Sequence, residues 1–398
     1  MVEQDRRRRL RRLLAAAGVL MAVAAVVLLV TDPLADEEPQ GAVPEAGSRF
    51  RGEEEPRDRG LLEALAPVVA ARTPSTGLPL EESVAQLFMV GFEGREPPEA
   101  LVRRMRTRAW GIVLVGETNY ASPSQLRDAV DALARAARRG GQPPPIFAAD
   151  PDALGRLGPP AAPDIGLDGT PADARAEAKD AARRLREAHV QMILGPSADL
   201  SVGGGPAEGR AFSDDPREAA RFVEGAVRGW RDASVVVAPG RFPGEGGASQ
   251  DPLFGAATVG LSLDELRRRD VEPFRAAVRG GAPAIQMSAA LYVAWDGVTP
   301  ASLLPDAVRF LREETGFRGA IVSSDLVAAT SGTGGGVARA AVEALKAGCD
   351  VLLVAGGRAE QEAAYRGVLA AVERREIPRA RLVEAVRRVG VLKRAAGR

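Results

Sequence analysis

Between residues 87 and 354 one unit recurs eight times: a short apolar run followed by a helical stretch with one apolar face. The runs fall at 87–92, 111–116, 146–150, 192–195, 234–238, 284–287, 320–323 and 351–354. Among the intervening stretches, residues 124–138, 173–189, 215–231, 263–279 and 305–315 carry apolar side chains at three- and four-residue spacing, with Arg and Glu on the other faces. Eight strands each trailed by a helix predict an α/β fold, a (β/α)8 TIM-type barrel. A doubly wound open sheet is the alternative, disfavoured by the count of eight and by the lack of a G-x-G-x-x-G after the first strand. In a barrel the functional side chains stand at the C-terminal strand ends and in the loops that follow. That rule selects Asp150, Asp199, the loop 240–253, the segment 288–292 and residues 323–325. Each alone reads equally as a helix cap or a ligand of backbone amides; the set carries the information.

The ends of the chain differ in texture. Six arginines between Arg6 and Arg12 precede an uncharged run of eighteen residues, 13–30, near the minimum for a membrane-spanning helix. Arginines before it and Asp32, Asp36, Glu37 and Glu38 after it predict a cytoplasmic basic segment (1–12), a single-pass anchor (13–30) and an extracytoplasmic remainder. A cleaved signal peptide is the alternative, but no small-x-small site follows the run. Residues 31–75, rich in Pro, Gly, Glu and Arg, read as a flexible stalk, and 76–398 as the barrel domain. With 53 basic and 53 acidic residues the chain lacks the basic surplus of a nucleic-acid partner. One cysteine, Cys349, and one histidine, His189, allow neither a disulfide within the chain nor a Cys/His metal site, and no cofactor is implied. Cys349, inside an apolar run, reads as a core residue.

The loop 240–253 reads G-R-F-P-G-E-G-G-A-S-Q-D-P-L and resembles the K-H-F-P-G-H-G…D-x-H segment of glycoside hydrolase family 3, β-N-acetylhexosaminidase branch. Further landmarks follow the family's order: residues 81–91, 110–115, G-R-A-F-S-D-D-P at 209–216, D-V-E-P-F at 270–274, P-A-S-L-L at 300–304 and G-F-R-G at 316–319. The resemblance implies cleavage of β-linked N-acetylglucosamine with retention, which needs a carboxylate nucleophile about 5 Å from a proton donor.

The same alignment strips the site. Ser324 stands at the family's nucleophile position, with Asp325 one residue beyond. Successive side chains on a strand face opposite ways, so Asp325 is a nucleophile candidate only if the strand end bulges. Ser324 has no histidine to activate it. In the Asp-x-His dyad of the acid/base, Asp251 survives and Leu253 replaces the histidine. Gly240, Arg241 and Glu245 replace the Lys and two His of K-H-F-P-G-H-G, and Ala289 replaces a further histidine. Glu245 and Asp251 are the remaining acid candidates. Asp150 and Arg210 align with sugar-holding residues, and Arg241 joins them as a substrate-binding candidate; the alternative is that Asp150 and Arg210 bridge barrel loops to each other.

Three functions follow as expectations. The first is a membrane-anchored, catalytically impaired barrel that binds an N-acetylglucosamine-containing glycan of the cell wall or an envelope protein. The second is an active, divergent β-N-acetylhexosaminidase using Asp325. The third is a scaffold of an envelope assembly with a vestigial pocket.

Overall fold

The computed structural model describes residues 77–150, 158–159, 161–330 and 335–397. The expected basic segment, the span 13–30 and the stalk 31–75 lie outside them. No helix among the described residues is long and apolar enough to cross a membrane.

Eight parallel strands form the barrel wall: β1 (Phe88–Val90), β2 (Ile112–Val115), β3 (Ile146–Ala149), β4 (Met192–Ile193), β5 (Val236–Val237), β7 (Ala284–Gln286), β9 (Ala320–Asp325) and β10 (Val351–Val354). They neighbour one another in the order β5-β4-β3-β2-β1-β10-β9-β7. Two short strands, β6 (Thr258–Val259) and β8 (Leu291–Tyr292), pair in parallel apart from the wall. The wall closes through the segment that follows β5. Gln286 N–H donates to Pro239 O (2.9 Å), Phe242 N–H to Gln286 O (2.8 Å) and Ser288 N–H to Phe242 O (2.8 Å). The expected α/β barrel is therefore present, and the loop singled out in the sequence is also its seam.

Local chemistry explains the outer helices. Pro123–Arg139 (α3) starts where the Ser122 hydroxyl accepts the Gln125 N–H, with proline in its first turn. It buries Leu126, Val130, Leu133 and Ala137, one stripe of a 3.6-residue period, against the wall. Pro171–Glu187 (α5) opens with a reciprocal cap between Thr170 and Asp173, and Pro216–Asp232 (α6) with Asp215 accepting from Arg217 and Glu218. These two helices approach so closely that a Cβ at Gly225 or Gly229 would collide with the Pro171 or Arg175 carbonyl.

Two expectations need correction. The single helix expected over 263–279 is two, Leu263–Arg268 (α7) and Glu272–Arg279 (α8). Pro273 cannot donate to the preceding turn, so the helix restarts around it. His189 was expected within the helix 173–189, but α5 ends at Glu187 and His189 sits beyond it at φ 58°. Its Nδ1 lies 2.8 Å from Asp131 Oδ1, at a half-exposed site in the α5–β4 connection. Cys349 is fully buried, as expected, and burial pushes its thiol up to about 12.

Candidate active site

A cavity of about 420 Å³ opens at the C-terminal ends of the strands, within the usual range for a small-molecule pocket. Asp150 reaches it from the end of β3, Arg210 from the loop between β4 and α6, and Arg241 and Glu245 from the seam after β5. Asp251 follows in the same loop, and Ser324 and Asp325 come from the end of β9. Every site residue picked from the sequence thus borders one cavity, although up to 175 residues separate them along the chain. No group of three or more His, Cys, Asp or Glu side chains among the described residues is arranged to hold a metal ion.

The centre of the site is an ionic cluster. Glu245 is buried, and its Oε2 lies 3.2 Å from Arg241 and 3.3 Å from Arg210. Its Oε1 accepts from the Ser288 hydroxyl (2.8 Å) and the Ala289 N–H (3.1 Å). Asp199, also buried, accepts the Glu245 N–H at 2.8 Å and lies 3.4 Å from Arg210 Nε. Arg210 reaches Asp251 as well, at 3.6 Å. The alternative in which Arg210 bridges to Asp150 is not what the structure shows; Arg210 joins Asp199 of its own loop and Glu245 and Asp251 of the loop after β5.

Burial is the largest influence on Glu245 and raises its carboxyl above the usual range, while Arg241 pulls it down; Asp199 adds to the rise, and the Ser288 bond and Arg210 to the fall. Four donors and no acceptor meet its oxygens, so the ionised form is the one this geometry holds. Burial disfavours the Arg241 charge, yet Glu245, Asp199, Asp150 and Asp251 together hold its guanidinium above the ordinary value. A carboxylate so enclosed by donors is poorly placed to carry a proton for a leaving group.

The end of β9 departs from simple alternation. Opposite β10, Val351 faces Val322 while Leu353 faces Asp325, so three steps of β9 match two of β10. The extra residue is a β-bulge, which turns the strand end. Within the shifted stretch the Ser323 hydroxyl donates to Ser324 O (2.7 Å) and accepts the Leu353 N–H (3.0 Å). The condition set for Asp325 is met: it borders the cavity beside Ser324. Asp325 Oδ1 accepts the Val327 and Ala355 N–H groups, each at 3.2 Å. Burial raises its carboxyl above the usual range and those two bonds draw it back. Ser324 shares a 2.7 Å hydrogen bond with Ser302.

A family model described as the N-terminal domain of glycosyl hydrolase family 3 matches residues 79–392. The chain belongs to this family. It is 36% identical over 174 residues to a β-hexosaminidase of Stenotrophomonas maltophilia, covering 44% of this chain and 52% of that one. A Xanthomonas campestris β-hexosaminidase is 36% identical over 189 residues, 47% of this chain and 56% of its own. The chain thus spans about half the length of these curated relatives. Among solved structures, a family 3 β-N-acetylglucosaminidase from a Paenibacillus species superposes with a TM-score of 0.75 at 29% identity, over 80% of this chain and 63% of that one. A β-N-acetylhexosaminidase from Beutenbergia cavernae gives 0.72 at 25% identity, over 80% and 99%.

Two parts of the family 3 site escaped the sequence reading. Ser302, noted only within the landmark 300–304, bonds directly to Ser324; Ser288, at the start of the selected segment 288–292, bonds to Glu245, a partnership the sequence did not indicate. Asp270 lies under Gly244, its Oδ2 buried without a hydrogen-bond partner, and burial pushes its carboxyl up to about 7. It had been noted only as a landmark of D-V-E-P-F. A proline three residues on was the available signal for an inward turn.

Proposed function

We propose that this chain is a catalytically impaired family 3 barrel that binds an N-acetylglucosamine-containing glycan in its mouth without cleaving it. The observation that carries this reading is the occupation of each working position by a side chain committed elsewhere. At the nucleophile position, the Ser324 hydroxyl bonds to Ser302, and no imidazole borders the cavity among the described residues. Leu253 takes the place of the acid/base histidine. Asp251 caps its own loop by accepting the Leu253 N–H at 2.9 Å. Glu245 is enclosed by donors. Retention needs a carboxylate and a proton donor about 5–5.5 Å apart, both free to change protonation during the reaction. Asp150, Arg210 and Arg241 remain on the cavity wall as groups for hydroxyls. The name of the Paenibacillus β-N-acetylglucosaminidase supports N-acetylglucosamine as the sugar. The run 13–30 supports a membrane anchor with the barrel outside the cytoplasm, presented to the cell wall.

The test pairs turnover with binding. The full chain should leave a chromogenic N-acetyl-β-glucosaminide intact and bind chitin oligomers, and Asp150→Ala should weaken that binding by about tenfold. One observation favours the second reading, an active hexosaminidase: the bulge brings Asp325 to the cavity wall, where it is the nucleophile candidate with Asp251 or Glu245 as acid. Turnover that disappears in Asp325→Ala would establish that reading and sink the first.

A further inference from the structure

One rim of the cavity is a finger of chain, residues 248–259, that runs from the seam into β6. Its base is closed by an antiparallel bridge between Ala248 and Val259. There the Ser249 N–H donates to Thr258 O and the Thr258 N–H to the Ser249 hydroxyl, each at 3.0 Å. Gln250 Nε2 donates across the finger to Ala256 O at 2.7 Å. The tip is a single turn, Pro252–Phe254, held by the Leu253 N–H on Asp251 Oδ1 (2.9 Å) and the Phe254 N–H on Asp251 O (3.0 Å). Asp251 also reaches Arg210 in the mouth, and the turn lies beside the helix Leu326–Thr330, which directly follows Asp325. Asp251, Pro252 and Leu253 line the cavity. A loop with this many internal bonds has a fixed shape, and it holds Leu253 54% and Phe254 85% exposed. Every other aromatic side chain among the described residues is buried or half-buried. Phe254 alone forgoes the stabilisation that burial gives an aromatic ring, and it does so at the mouth.

We infer that Phe254 is the stacking platform for a second sugar ring, so that the site takes a β-linked oligomer of N-acetylglucosamine rather than a single sugar. The inference rests on the glycan-binding reading above and extends its ligand by one ring. In β-linked N-acetylglucosamine the ring substituents are equatorial and the ring hydrogens axial, so each face of the ring is apolar. Laid on a phenylalanine, such a face removes apolar area from water while the hydroxyls at the ring edge stay hydrated. The mouth offers the complementary chemistry, charged groups suited to the hydroxyls of the first ring. Leu253 joins the two regions: it lines the cavity, and the next residue in the chain stands exposed beyond it. A glycan too long for the mouth leaves it past this finger. A lipid or a protein partner would also cover an exposed phenylalanine, but neither accounts for its place directly after a residue of the cavity wall. The exchange of histidine for Leu253 is thereby given a use, because it makes the tip of the finger an apolar contact instead of a proton carrier.

Titration calorimetry on the full chain with N-acetylglucosamine and with its β-linked disaccharide tests this, read as the ratio of the two affinities. The disaccharide should bind about fivefold more tightly than the single sugar. Phe254→Ala should bring the ratio down to about one, and Phe254→Trp, with a larger ring, should keep or raise it. Because the side chain is exposed, both variants should unfold at the parent's midpoint, so a changed ratio reports on binding. A disaccharide no tighter than the single sugar would overturn the inference and leave the glycan-binding reading standing. So would an advantage that Phe254→Ala keeps, or one that Phe254→Trp loses. Binding of neither sugar would overturn both readings.

Discussion

The two ends of this barrel each hold buried carboxylates ringed by arginines, yet the two clusters do opposite things. At the N-terminal end, Asp350 directly precedes β10 and is fully buried. Arg381 and Arg388 reach its Oδ1 at 2.9 and 3.1 Å, Arg312 stands 3.5 Å from Oδ2, and the Ile321 N–H donates to Oδ2 at 3.0 Å. Arg381 and Arg388 come from the C-terminal helix Arg379–Ala395 (α13), so this acid ties the last helix to the start of two strands. At the C-terminal end, acids outnumber arginines and the cluster borders a cavity. The same Arg–carboxylate chemistry thus serves as a fastening where a single acid is enclosed by cations. At the other end the acids line open space, where the proposed ligand would sit. The division follows the general rule for such barrels, stability at the bottom and function at the top.

Substitutions at the two ends should differ in kind. Asp350→Ala leaves three arginines facing one another in a buried site, and a loss of about 3–5 kcal/mol in unfolding free energy is expected by denaturant titration. A loss below about 1 kcal/mol would mean that the cluster does not hold α13. Glu245→Gln keeps an acceptor for Ser288 and Ala289 but leaves Arg210 and Arg241 short of a charge partner. Water reaches those arginines from the cavity, so about 1–3 kcal/mol is expected, together with weaker ligand binding. If Glu245→Gln matched Asp350→Ala in stability and left binding intact, the contrast between the ends would be void.

Asp270, beneath the seam loop, offers a third measurement. Its folded carboxyl is raised to about 7 by burial, well above an unfolded aspartate. The native state therefore keeps a proton that the unfolded chain releases, and this group's contribution to stability falls as pH rises through that window and levels off above it. Asp270→Asn should remove that slope, raising the denaturation midpoint at about pH 8 relative to the parent much more than at about pH 4. The smallest effect is expected at His189, whose contact with Asp131 is half-exposed. His189→Ala should change stability by less than about 1 kcal/mol and leave ligand binding untouched.

How much of this was legible in the sequence differs between the fold and the site. The strand cores at 88–90, 112–115, 146–149 and 351–354 lie within the runs read from apolar patterning, because a buried strand must be apolar along its whole length. The break at 269–271 was missed, since the apolar spacing on either side is compatible with one continuous helix. The site residues were located but not their partners. In the sequence Asp150 and Arg210 read either as sugar-holding groups or as a bridge between barrel loops, whereas the folded chain gives Arg210 to Asp199, Glu245 and Asp251.

Local pattern settled the (β/α)8 architecture, the family landmarks and the absence of histidine from the mouth, because each is written in the identity of neighbouring residues. The fate of Asp325 was not settled there. Strand alternation turned it away from the cavity, and the bulge brought it back. A bulge is a mismatch between two strands, here between residues 322–325 and 351–353, and nothing within either strand announces it. The charge balance of the mouth is of the same kind. Five acids and two arginines are visible in the chain, but which of them cancel depends on distances between segments that meet only when the barrel closes.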